Sequence, residues 1–370
     1  MSRESVQDDS SGKESVHSDG WSESGGASQS GGASQSGAHR HSGRRYRSGA
    51  GFRPETSARS GGQVGSGSWV TRVRRVVNEQ GFYALVYLIL ANLIIFVLNL
   101  PQVSRFLGTA GVPGLNDAIS EVLLFLFLLA TRFDEVTGRR EDGVGYHSSK
   151  APGVLFLVGA FILMIFFGSL ETGLTGLVDR GSQALGLVYR STTAQIEATQ
   201  FGIWAPLDTA ILVPIVEELL LRGVVMARLK PYGRTFAIVT SAFIFACMHG
   251  DLTQGVFTFL LGLLLGYVAM EYSLIWSIIL HVANNLILAD GVMWLTQALP
   301  TPTGDMVNRI IAIFGLVAGL VVLLIWRRPL VEYVRTHRAA KGSYKGWLAL
   351  GLILFVLLAL VSAAQRFSMA

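Results

Sequence analysis

A single cysteine, Cys247, stands among the 370 residues, so no disulfide can form within the chain. It lies in an apolar run and reads as a small core residue. Charge is scarce too. Asp, Glu, Lys and Arg make up 15% of the chain, against roughly 25% in soluble globular proteins. Hydrophobic residues fill the difference at 51%. The runs 81–100, 153–170, 256–270, 310–326 and 347–364 carry no charge or almost none, and about 20 such residues in a helix cross a bilayer core. An ordinary soluble domain is excluded. The first 70 residues hold no apolar run long enough for a signal peptide, so none is expected there.

That segment is instead rich in Ser and Gly, with GGASQS at 25–30 repeated at 31–36. Its beginning is acidic and the stretch from Arg40 to Arg75 is basic. It offers too little apolar surface to offset chain entropy, so a disordered tail is expected over 1–70. Its basic half can rest on anionic headgroups. The formal charge of +5 comes from this tail and from residues flanking spans, which excludes a nucleic-acid partner and leaves the lipid bilayer as the surroundings.

Hydropathy predicts an all-α polytopic bundle of eight or nine spans. The segments are 80–101, 113–131, 151–170, 203–229, 235–250, 254–272, 274–290, 308–326 and 346–364. With the N-terminus inside, inner segments hold sixteen Lys and Arg, among them Arg132, Arg139, Arg140, Arg228 and Lys341. Outer segments hold five: Arg105, Arg180, Arg190, Arg309 and Arg366. This asymmetry predicts a cytoplasmic N-terminus in a cell membrane, with the tail composition pointing to a bacterial plasma membrane. Four parts follow: the tail 1–70, additional N-terminal spans 71–150, a core 151–295 and C-terminal spans 296–370.

The fourth segment contains VEELLLRG, whose charges cost roughly 2.5–3.5 kcal/mol each at a helix centre in lipid. Glu218 and Arg222 are four apart and stack on one face, so they neutralise each other. Glu217 lies about 100° round the helix and has no cation at its own helical spacings. The next segments add Phe245 with His249, then His281 with Asn285, again four apart. At about 1.5 Å per residue, Glu217, His249, His281 and Asn285 fall roughly 18, 22, 11 and 17 Å from their inner helix ends. They can converge. A carboxylate without an ion partner in a low-dielectric cavity suits a general base for water, and a histidine beside it can orient that water. A second histidine and a carboxamide can donate to the oxyanion of a hydrated amide. Alternatively, Glu217, His249 and His281 could hold zinc or another divalent metal. The spacing leaves both open. Asp117, Glu121 and Asp208 lie near helix ends and read as interfacial.

Glu217-Glu218-x-x-x-Arg222, Phe245-x-x-x-His249 and His281-x-x-x-Asn285, in this order, resemble the motifs of the CPBP intramembrane proteases. That family includes CAAX prenyl endopeptidases of the Ras-converting type and bacteriocin-processing or immunity proteins. The likeness covers roughly residues 150–295. It implies an intramembrane endopeptidase acting on a membrane-associated peptide or protein, CAAX-type or bacteriocin-like. Carried over, Glu217 activates water with His249, His281 and Asn285 stabilise the oxyanion, and Glu218 and Arg222 support the site. The resemblance leaves metal dependence, oligomeric state and the need for prenylation open. The alternative is a non-catalytic immunity or scaffold protein that binds a peptide or partner protein. A proton-coupled transporter is disfavoured, because no inverted repeat of broken helices is visible.

Overall fold

The computed structural model describes residues 66–139, 144–145, 150–192 and 202–369, all within one compact unit, Glu55–Ala370. The Ser/Gly-rich tail lies outside the described residues up to position 65, as does Arg140. The described chain is an all-α membrane bundle. Each of the nine expected segments is helical: α1 (Ser66–Leu98), α2 (Leu115–Thr131), α3 (Val154–Ala184), α4 (204–229), α5 (Arg234–Met248), α6 (Leu252–Glu271), α7 (Leu274–Gln297), α8 (Thr301–Thr336) and α9 (Leu350–Ala364). Among the described residues, α1, α3, α6, α7 and α8 are long and apolar enough to cross a membrane, while α5 and α9 are shorter apolar helices. Two strands, β1 (Leu187–Tyr189) and β2 (Phe367–Met369), pair antiparallel beside the bundle.

Several helices exceed their expected spans. The most extended is α8, which runs on past the arginines at 327 and 328. Its C-terminal end is tied down by polar contacts that hydropathy does not register. Tyr333 donates to Glu271 at 2.8 Å, and Arg234 donates to the same carboxylate oxygen at 2.8 Å. The start of α5 and the C-terminal ends of α6 and α8 therefore meet on one acidic residue. Higher up, α8 exposes Ile310, Ile313, Val317 and Leu320, an apolar face suited to lipid.

The segment carrying VEELLLRG, α4, is the most enclosed. Leu220, Leu221, Val224, Val225 and Met226 are fully buried between α5 and α7. It is also irregular, with π-helical turns at Asp208–Leu212 and Leu219–Met226. Pro214 follows the first of these. Without an N–H it cannot bond the carbonyl four residues back, so the helical ladder must change there. Such π turns are frequent at functional sites. A third one, Asn284–Gly291, interrupts α7 immediately after His281.

Close packing holds α5 against α6. A Cβ on Gly262 would lie 3.0 Å from both Cα and Cβ of Ala242, and one on Gly266 would lie 3.1 Å from the Ile238 side chain. Small residues four apart let membrane helices approach closely. Gly262→Val is expected to destabilise the fold by about 1–3 kcal/mol through overpacking. A lowered midpoint in a thermal unfolding scan of the purified protein checks this.

Candidate active site

The site forms where α4, α5 and α7 meet. Glu218 and Arg222 are both fully buried, and Arg222 Nη1 donates to Glu218 Oε1 at 2.5 Å. Arg222 Nη2 donates to the carbonyl of Gly262 at 3.1 Å. Its Nε has no hydrogen-bond partner among the described residues. Instead, the guanidinium carbon lies 5.1 Å from the Phe245 ring centroid, where the negative ring face supplies part of the missing solvation. Phe245, which reads as apolar core, thus also shields a cation.

Glu218 is saturated. Besides Arg222 it accepts from Ser277 Oγ at 2.5 Å and faces His281 Nδ1 at 3.1 Å. The paired carboxylate can only accept, so Nδ1 of His281 carries the hydrogen and Nε2 is left for other work. That nitrogen lies 3.7 Å from Glu217 Oε2, too far for a direct hydrogen bond. No hydrogen bond reaches the Glu217 carboxylate among the described residues. The two neighbouring glutamates therefore have opposite characters. Glu218 is a sealed structural charge, and Glu217 is largely buried, its side chain 14% exposed, with its acceptor capacity unused.

His249 closes α5. Its Nδ1 lies 3.0 Å from the carbonyl of Phe245, which fixes Nδ1 as the donor and turns Nε2 outward as a lone pair. The Phe245 ring stands edge-on to both imidazoles, with centroids 5.0 Å from His249 and 5.7 Å from His281. No hydrogen bond joins His249 to Glu217 among the described residues.

Asn285 is placed differently from the other three. Its Nδ2 donates to the carbonyl of Thr209 at 2.8 Å, and its Oδ1 accepts from Asn284 at 3.0 Å. One of its two amide hydrogens thus joins α7 to the first π turn of α4. Asn284, Asn285 and Thr209 border a cavity of about 800 Å³ that opens between α3, α7 and α8.

Among the described residues no three His, Cys, Asp or Glu side chains are grouped to hold one ion. Asp208 departs from the interfacial reading. It is 6% exposed, and its Oδ1 has no partner among the described residues. Ser277 is the site residue that motif reading misses. It lies four residues before His281, on the same face, so the spacing could have found it.

Residues 199–287 match the family described as Rce1-like, type II CAAX prenyl endopeptidase. The match covers about a quarter of the chain and includes every position from Glu217 to Asn285 discussed above. No curated protein and no solved structure matches the chain.

Proposed function

We propose that the chain is an intramembrane endopeptidase of the CAAX type, the family its segment 199–287 matches, and that it hydrolyses a peptide bond of a membrane-associated peptide or protein using water activated by Glu217. The observation that carries this reading is the contrast between the two glutamates. Glu218 has three partners, whereas Glu217 is without a hydrogen bond and 3.7 Å from His281 Nε2.

A water held by Glu217 and by the lone pair of His249 Nε2 attacks the carbonyl carbon, and Glu217 takes its proton. As an imidazolium whose Nδ1–H is held by Glu218, His281 donates its Nε2–H to the oxyanion that forms, and the second amide hydrogen of Asn285 is the other donor. The protonated Glu217 then gives its proton to the leaving amine as the C–N bond breaks. Ser277 and Arg222 act through Glu218 and touch no substrate. No step of this reading is routed through a metal. The cavity beside Asn285 would take only part of the extended segment, since Glu217, His249 and His281 do not border it. The charge asymmetry of the loops supports a cytoplasmic N-terminus, and the Ser/Gly tail supports a bacterial plasma membrane.

Incubating the purified protein with lipidated and unlipidated peptide libraries, and reading products by mass spectrometry, tests this. Site-specific cleavage that survives a chelator supports it. Activity that falls with the chelator and returns with zinc points to the metal mechanism. No cleavage of either library favours a scaffold that only binds.

Asn285→Ala is expected to lower the catalytic rate about 10²–10³-fold, the usual cost of one oxyanion donor, with substrate binding little changed. Loss of its bond to Thr209 adds about 1 kcal/mol of destabilisation. Separate measurement of kcat, KM and Tm resolves the two effects. Full activity in this variant leaves Asn285 only the task of joining two helices.

A further inference from the structure

One residue close to the site is held by more hydrogen bonds than helix capping requires. Asp251 follows His249 after one glycine and caps the start of α6, accepting from the backbone N–H of Thr253 at 2.9 Å and of Gln254 at 3.1 Å. Two such bonds suffice for an N-cap. The same carboxylate also accepts from the Tyr189 hydroxyl at 2.7 Å, the Thr192 N–H at 2.8 Å and the Thr192 hydroxyl at 3.1 Å. It is 4% exposed. Burial alone would push its carboxyl up, but these donors hold it below the usual carboxylate range.

The additional partners come from the stretch that begins with β1. Tyr189 pairs with Phe367 of β2, and their rings lie 5.0 Å apart. The backbone N–H of Arg190 donates to the carbonyl of Arg366 at 2.9 Å. Between His249 and Asp251, Gly250 adopts φ +54°, and a Cβ there would lie 2.7 Å from the Cβ of Ser362 on α9. The turn is thus fixed on one side by α9 and on the other by the β1–β2 pair.

We propose that Asp251 is a positioning residue: through Tyr189 and Thr192 it locks the His249–Gly250–Asp251 turn, so that the strand pair joining β1 to distant β2 sets the place of the His249 imidazole. A residue that only capped α6 would need neither the tyrosine nor Thr192. The proposal rests on the reading of His249 as part of the site, so its test includes a readout that needs no proteolysis.

Cys247 supplies that readout. It is the only cysteine, half-buried, two residues before His249. In the purified full-length protein, its rate of labelling by a small maleimide reports how firmly the turn is held. Asp251→Ala is expected to raise that rate about tenfold and to lower kcat about tenfold or more, with KM within twofold. Asp251→Ser keeps a helix cap but cannot engage Tyr189 and Thr192 together, so it should not restore either quantity. Tyr189→Phe removes one hydroxyl and keeps the ring against Phe367, so the fold is retained. It should move both quantities in the same direction by a smaller factor. Full recovery in Asp251→Ser would reduce Asp251 to a cap and overturn the proposal. So would unchanged labelling in both Asp251→Ala and Tyr189→Phe. Faster labelling with an unchanged kcat would overturn the link to His249. If the wild type cleaves nothing while labelling responds as stated, the anchoring stands and the proteolytic reading fails.

Discussion

Glu218→Ala is expected to yield little folded protein, and what folds should be inactive. The substitution leaves Arg222 fully buried with one hydrogen bond to Gly262 and the Phe245 ring as its remaining support. Removing one member of a buried ion pair costs about 3–5 kcal/mol, because the survivor is an uncompensated charge. Total domain stability is about 5–15 kcal/mol, so this is a large fraction of it. Ser277 and His281 lose their common acceptor as well. Glu218→Gln should be milder. The amide still accepts from one neighbour, but it can no longer balance the guanidinium. Expression yield and the midpoint of thermal unfolding check both variants. Wild-type yield for Glu218→Ala would contradict the pairing.

Glu217→Gln should behave in the opposite way, although the two residues are adjacent. No hydrogen bond to another described residue is lost, and the side chain keeps its shape. Yield and melting temperature should stay close to wild type. Turnover should fall by at least about 10²–10⁴-fold, the range supplied by a positioned general base. Because amide nitrogen replaces a carboxylate oxygen, the variant can still touch water and cannot take its proton. A pair of neighbouring substitutions, one harming the fold and one harming only the chemistry, is a sharper signature than either alone.

The sequence exposes most of this arrangement because charge inside an apolar run is conspicuous. Glu218 and Arg222 follow from i,i+4 spacing, and Glu217 stands out by lacking such a partner. The hidden parts depend on tertiary contact or on backbone geometry that side-chain periodicity does not encode. The π turns around Pro214 and after Asn284 change which side chains share a face, yet they leave the hydropathy pattern intact. The bonds from Tyr189 and Thr192 to Asp251 join residues about 60 apart in sequence, between a short strand and a helix cap. Serine in a membrane helix is common, so the four-residue spacing from Ser277 to His281 is a weak signal beside the hydroxyl's bond to Glu218. Asp208 looked interfacial because it lies near an expected helix end, but packing encloses it. The length of α8 was underestimated for a related reason. Its C-terminal end is held by Tyr333 on Glu271, a polar anchor beyond the apolar run.

The central claim is that Glu217 is the base, and side-by-side turnover by purified wild type and Glu217→Gln tests it most directly. Both proteins should be brought to equal folded concentration, confirmed by thermal unfolding, and given the same cleavable peptide. The account predicts robust cleavage by the wild type and at least a hundredfold slower cleavage by the variant at an unchanged melting temperature. Equal turnover by the two proteins would contradict it.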